Sequence, residues 1–94
     1  MLYLVHMQVN IPQSMPREEA DRIKAEEKAY SQQLQQSGKW RHLWRVAGQY
    51  ANYSVFDVES NDELHQTLMQ LPLYPYMAIT VTPLAQHPSA IAAN

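Results

Sequence analysis

The sequence predicts an α+β fold: four antiparallel strands and two helices in the order β-α-β-β-α-β. Three observations predict it. Residues 2–10 and 77–82 each alternate apolar and polar side chains, the period of a half-buried strand. Residues 39–58, KWRHLWRVAGQYANYSVFDV, read as two strands joined at Gly48-Gln49. Between these segments lie two stretches whose apolar residues recur every three or four positions, the period of a helix packed on one side.

The elements follow in order. In the first strand Tyr3, Val5, Met7 and Val9 share one face, and Leu4, His6, Gln8 and Asn10 share the other. Ile11-Pro12 ends it. Ser14 is the expected N-cap of a long helix, Pro16 falls where a missing N–H costs nothing, and Glu18 and Glu19 put acids in the first turn. That helix runs to about Ser37, with Gly38 as its left-handed C-cap. Its inner stripe is Ala20, Ile23, Glu27, Tyr30 and Leu34.

In the hairpin, a two-residue turn with glycine first fits type II′. That register pairs Ala47 with Tyr50, Arg45 with Asn52, Leu43 with Ser54 and Arg41 with Phe56. One face then carries these eight residues, and the other carries Trp40, His42, Trp44, Val46, Ala51, Tyr53, Val55 and Asp57. Neither is a plain solvent face, and the first mixes polar and apolar groups as a ligand pocket does. Ser60 and Glu63 form a capping box that starts a short helix, with Leu64, Thr67, Leu68 and Leu71 inward and Pro72 at its end. Residues 73–76 are a rigid aromatic connector. Met77, Ile79 and Val81 alternate with Ala78, Thr80 and Thr82 in the last strand, which Pro83 closes. The tail, residues 84–94, has no period and is either frayed or draped over a neighbouring subunit.

This order is the ferredoxin-like split βαβ arrangement, a single domain over residues 1–94 with both helices on one sheet face. The other face still needs cover. Two such sheets placed face to face make a dimeric α+β barrel, and the hairpin loaded on both sides is the sequence evidence for it.

Composition narrows the function. Hydrophobic residues at 46% against 17% charged describe a globular chain, and the low charge fraction suggests self-association. A net charge of −2 leaves no basic stripe for nucleic acid. Without cysteine there is no thiolate catalysis and no thiolate-bound metal, and the cytoplasm is the expected compartment. Residues 1–10 do not read as a signal peptide, and no apolar run approaches the ~20 residues a membrane span needs.

Glu27 is the sharpest chemical signal. A carboxylate on the apolar stripe of a helix is costly unless something compensates it. It reads either as a general base with a pKa raised by desolvation, or as half of a buried ion pair with Arg41, Arg45 or Lys24. Arg41, Arg45, Tyr50, Asn52 and Ser54 share one strand face. They suit either a carboxylate and a carbonyl oxygen or a polar dimer interface, with the short Asn52 and Ser54 favouring a site. His6, His42, His65 and His87 lack ligand spacing, so no metal is expected.

Taken together, Glu26-Glu27-Lys28, the run from Trp40 to Val58, LHQTLMQLPLYPYM and the closing HPS resemble the muconolactone Δ-isomerase family over residues 1–89. The resemblance implies interconversion of muconolactone and 3-oxoadipate enol-lactone in the catechol branch of the β-ketoadipate pathway. It implies no cofactor, a cytoplasmic enzyme, and a homo-oligomer of dimeric units, a decamer. It puts the proton-carrying glutamate on Glu27 and the polar strand residues on Tyr50, Asn52 and Ser54. The substrate is then a small lactone carboxylate, for whose free carboxylate Lys24 and Arg41 are the candidate cations. Related dehalogenases of chlorinated muconolactones share much of this pattern. The remaining alternative is a non-enzymatic ligand-binding or assembly module, in which Glu27 would be tied up by an arginine.

The double-faced hairpin on so short a chain predicts that the protein is not a monomer. Sedimentation at micromolar concentration should report at least a dimer; a particle of 10.9 kDa would contradict the reading.

Overall fold

In the computed structural model, which describes residues 1–92, the chain forms β1 (Leu2–Val9), α1 (Arg17–Gln36), β2 (Trp40–Arg45), β3 (Ala51–Asp57), α2 (Asn61–Met69) and β4 (Met77–Leu84). A single 3-10 turn at Tyr74–Tyr76 leads into β4. The sheet is antiparallel in the order β2-β3-β1-β4, the ferredoxin-like arrangement.

Alternation in β1 builds the core. Tyr3, Val5, Met7 and Val9 are all buried, and β3 sets Phe56, Ser54 and Asn52 directly opposite the first three. Leu34 of α1 and Leu64 and Leu68 of α2 close over this face. Each large apolar side chain so buried contributes roughly 1.5–3 kcal/mol. A satellite cluster of Val9, Ile23 and Leu73 lies beside the main one. Polar ties fix the helices: the Tyr3 hydroxyl donates to Asn61 Oδ1, and the Tyr30 hydroxyl of α1 donates to Gln70 Oε1 at 3.2 Å, just beyond α2. The opposite sheet face is open, with Trp44 57% and Tyr53 45% exposed.

The hairpin departs from expectation in two ways. Gln49 N–H donates to the Val46 carbonyl at 3.1 Å, so the turn centres on Ala47-Gly48 rather than Gly48-Gln49. Gly48 has φ +79°, at the third turn residue, where a type II turn requires a positive value. The Val46 N–H bond to the Ala51 carbonyl closes a four-residue loop, and the expected register survives at Arg45–Asn52 and Leu43–Ser54. Further along, a bulge at Arg41 sets Trp40, not Arg41, opposite Phe56. The bulge lets the larger apolar side chain go inward. Trp40 is buried with its ring 4.7 Å from that of Phe56, while Arg41 pairs with Asp57 at the surface.

The expected Ser14 cap does not form. Residues preceding a proline are kept out of the helical region, so Met15 cannot open a helix and Ser14 cannot cap one. Met15 N–H instead closes a turn on the Pro12 carbonyl, and Pro16, at ψ 141°, is the N-cap. At the other end Gly38 has φ +85° and its N–H donates to the Gln35 carbonyl, as its place after the helix predicts. The Ser60 hydroxyl accepts from Glu63 N–H, so α2 starts as its sequence says. Strand β4 continues through Pro83 to Leu84, which an edge strand tolerates because no further strand needs the missing donor. Residues 93–94 of the expected tail lie outside the described residues. Among the described residues no helix is long and apolar enough to cross a membrane.

The two serines give a direct comparison. Ser60→Ala should lower stability by about 1 kcal/mol in denaturant titrations, whereas Ser14→Ala should stay within about 0.5 kcal/mol of wild type.

Candidate active site

Between the two apolar clusters the inner face is hollow. A cavity of about 310 Å³ opens there, within the usual range for small-molecule sites. Helix α1 contributes Lys24, Glu27, Lys28 and Ser31, spaced by three and four so that they share one face. The hairpin contributes Leu43, Arg45, Tyr50 and Asn52, whose parity follows from the Arg45–Asn52 register. Val9, Leu73 and Met77 supply apolar wall.

Glu27 is half-buried in this wall. Its Oε1 accepts the Leu73 backbone N–H at 2.9 Å, which ties α1 to the segment ahead of β4. Among the described residues it enters no ion pair: the three acidic side chains paired with arginine are Asp21, Glu26 and Asp57. Burial pushes its pKa up, and the Leu73 hydrogen bond pulls back less strongly. The result is a carboxylate with one oxygen anchored, the other open to accept a proton, and a raised proton affinity. Its charge is felt nearby. Burial raises the Tyr30 hydroxyl pKa, with Glu27 adding to it; burial raises that of Tyr50, with Arg45 opposing and Glu27 adding.

Asn52 and Ser54 have different jobs. Ser54 is fully buried, does not line the cavity, and donates to Asn52 Oδ1 at 2.7 Å. That bond fixes the amide so that Nδ2, whose only partner among the described residues is the weak acceptor Met7 Sδ at 3.6 Å, keeps a donor free there. At the mouth the Tyr50 ring lies against two cations, Lys24 Nζ at 5.8 Å and the Arg45 guanidinium at 5.4 Å. Trp40 also lines the cavity, and its buried Nε1–H has no acceptor among the described residues. Arg41 is not brought to the cavity. The bulge turns it toward Asp57 and the first residue, on a separate surface cleft. No three His, Cys, Asp or Glu side chains converge on a metal-sized site among the described residues.

The profile of the muconolactone delta-isomerase family matches residues 1–90. The chain belongs to that family. It is 67% identical over 91 residues to the muconolactone Delta-isomerase of Cupriavidus pinatubonensis, covering 97% of this chain and 99% of that protein. The Pseudomonas aeruginosa muconolactone Delta-isomerase is 54% identical over 94 residues, covering 100% and 98%. A crystal structure of muconolactone isomerase superposes with a TM-score of 0.94 at 56% identity, across 100% of this chain and 98% of that one. A 5-chloro-2-hydroxyhydroquinone dehydrochlorinase from Burkholderia phenoliruptrix gives 0.63 at 21% identity over 93% of this chain and 96% of that one, a likeness of fold alone.

Of the residues the sequence singled out, the family fold gathers Lys24, Glu27, Tyr50 and Asn52 at the cavity, keeps Ser54 behind Asn52, and sends Arg41 away. Lys28 and Ser31 were missed as cavity residues, although their spacing from Glu27 and Lys24 carries the signal. Trp40 was placed on the wrong face because nothing in the sequence marks the bulge.

The raised pKa of Glu27 fixes a sign. A carboxyl that holds its proton more tightly when folded supports the fold fully below its ordinary 4.5, and that support is lost as pH rises through the raised value. Glu27→Gln keeps an acceptor for Leu73 and removes the ionisation. At fixed protein concentration it should be more stable than wild type near pH 7, with the gap closing toward pH 4 in denaturant titrations. Wild type being the more stable at pH 7 would mean that a cation holds Glu27 ionised.

Proposed function

We propose that the chain isomerises muconolactone to 3-oxoadipate enol-lactone, a proton-transfer step of the catechol branch of the β-ketoadipate pathway. The observation that carries the reading is Glu27, a desolvated carboxylate with no ion-pair partner among the described residues, held by one oxygen at the wall of a substrate-sized cavity. An assembly module would have no use for such a group, and among the described residues no arginine pairs with it to neutralise it.

The chemistry follows from the ring. Muconolactone has a C2=C3 double bond and a hydrogen at C4 beside the ring oxygen. Glu27 takes the C4 proton. The C–H electron pair becomes the C3=C4 bond, and the former π pair moves toward the lactone carbonyl as a dienolate. Glu27 then returns the proton to C2. C4 and C2 are two atoms apart on one small ring, so one carboxylate reaches both, first as base and then as acid. The step is neutral in electrons and asks for no redox partner. The raised pKa suits both halves, since a base too weakly basic would fail the first and a strong one would fail the second. The Asn52 amide, fixed by Ser54, and the Tyr50 hydroxyl are the donors for the dienolate oxygen; losing one such donor typically costs ~3 kcal/mol of transition-state stabilisation. Lys24 supplies positive charge for the substrate's free carboxylate.

The same reading makes the protein a cytoplasmic homo-oligomer of dimeric units, a decamer, with the open sheet face carrying Trp44 and Tyr53 against a second copy.

An ultraviolet assay with muconolactone tests the proposal. Glu27→Gln should lower kcat by at least about 10²-fold with fold and assembly intact. Glu26→Gln should do little, since Glu26 sits in an exposed pair with Arg22. Wild-type kcat in Glu27→Gln would move the base elsewhere.

A further inference from the structure

Four arginines occur in the chain, and three of them are already spoken for: Arg17 pairs with Asp21, Arg22 with Glu26 and Arg41 with Asp57. Arg45 enters no ion pair among the described residues, and it is the arginine that lines the cavity. Its one hydrogen bond among the described residues is a long one, Nη1 to the Gln49 carbonyl at 3.5 Å, so most of its five N–H donors are unspent there. The guanidinium lies over the Tyr50 ring, 5.4 Å from its centroid, and a cation–π contact restrains the group without consuming those donors. Lys24 approaches the same ring from α1. Two cations gathered on one ring repel each other unless an anion joins them, and among the described residues no carboxylate is paired with either. Along the cavity wall as a whole Lys24, Lys28 and Arg45 face a single acid, Glu27.

We infer that Arg45, braced by Tyr50, is the fork that binds the free carboxylate of the substrate, with Lys24, at the same ring, as its partner. This inference rests on the isomerase reading above and replaces Arg41 in the role its sequence position suggested. The fork also sets orientation. A carboxylate held at the mouth leaves the lactone ring to enter first, toward Glu27, and a bidentate grip fixes the ring's rotation as a single ammonium would not. Arg45 is thus a specificity determinant: lactones lacking the side-chain carboxylate should enter the cavity but without that hold.

The test compares muconolactone with its side-chain methyl ester in wild type, Arg45→Met, Arg45→Lys and, as control, Arg41→Met. In Arg45→Met, KM for the acid should rise about tenfold to hundredfold with kcat falling much less, while kcat/KM for the ester stays near wild type. The preference for acid over ester therefore collapses. Arg45→Lys should recover part of it, and Arg41→Met should leave it unchanged. A parallel fall for acid and ester in Arg45→Met, or an unaltered preference, would overturn the inference, as would collapse in Arg41→Met. Failure of the isomerase reading looks different: wild type itself would not turn over the acid. Arg45 would then be judged by calorimetry of the acid and ester binding to wild type and Arg45→Met, where equal loss or no loss overturns it again.

Discussion

Strands β1 and β3 pair at the centre of the sheet, and their side chains alternate strictly between its two faces. That pairing decides what the helices cover. Tyr3 against Phe56, Val5 against Ser54 and Met7 against Asn52 form three successive rungs of one face. The first rung is wholly packed. By the third, an amide has replaced an aromatic ring, and the packing gives way to the cavity. The gradient from solid core to hollow site runs along a single strand pair, and a one-residue slip would move all of it to the opposite face. Asn52 and Ser54 are therefore positioned by the best-packed part of the molecule, whereas Tyr50 stands in the hairpin loop beside them.

Helix α1 works under the same constraint. Ile23 and Leu34 seat it on the sheet, one in each apolar cluster, and Glu27 and Ser31 occupy the turns between them. A leucine at position 27 would pack but do no chemistry. A glutamate left in open solvent would titrate near its ordinary value. The half-buried position, with the Leu73 N–H on one oxygen, avoids both outcomes: the hydrogen bond offsets part of the desolvation that burial imposes, and what is left over appears as raised proton affinity.

Element order, both helix stripes and the middle of the hairpin register, Leu43–Ser54 and Arg45–Asn52, were legible because each is written as a period, and periods survive small local errors. Glu27 stood out for the related reason that it violates its own period. What escaped the sequence were single-residue events. The bulge at Arg41 is marked by no glycine or proline, and it arises from competition between Trp40 and Arg41 for the inner face, which only the packed structure decides. Parity counted back from the turn consequently placed Arg41 beside Arg45, when the two diverge to different surfaces. The start of α1 was misplaced for a local reason that was in fact readable: Pro16 restricts Met15, and that restriction outweighs the capping preference of Ser14. The Leu73 hydrogen bond joins positions 46 residues apart, a separation no spacing rule addresses.

The two outer strands carry the sheet's irregularities. β2 has its bulge at Arg41, and β4 has Pro83, which offers no N–H along its rim. An unbroken rim of donors and acceptors invites further strands to add on, and interruptions of this kind discourage it. Lateral growth into a continuous ribbon is thereby blocked on both sides, whereas the broad face bearing Trp44 and Tyr53 carries no such obstacle. Concentrating the protein should therefore favour finite, closed particles over fibrils.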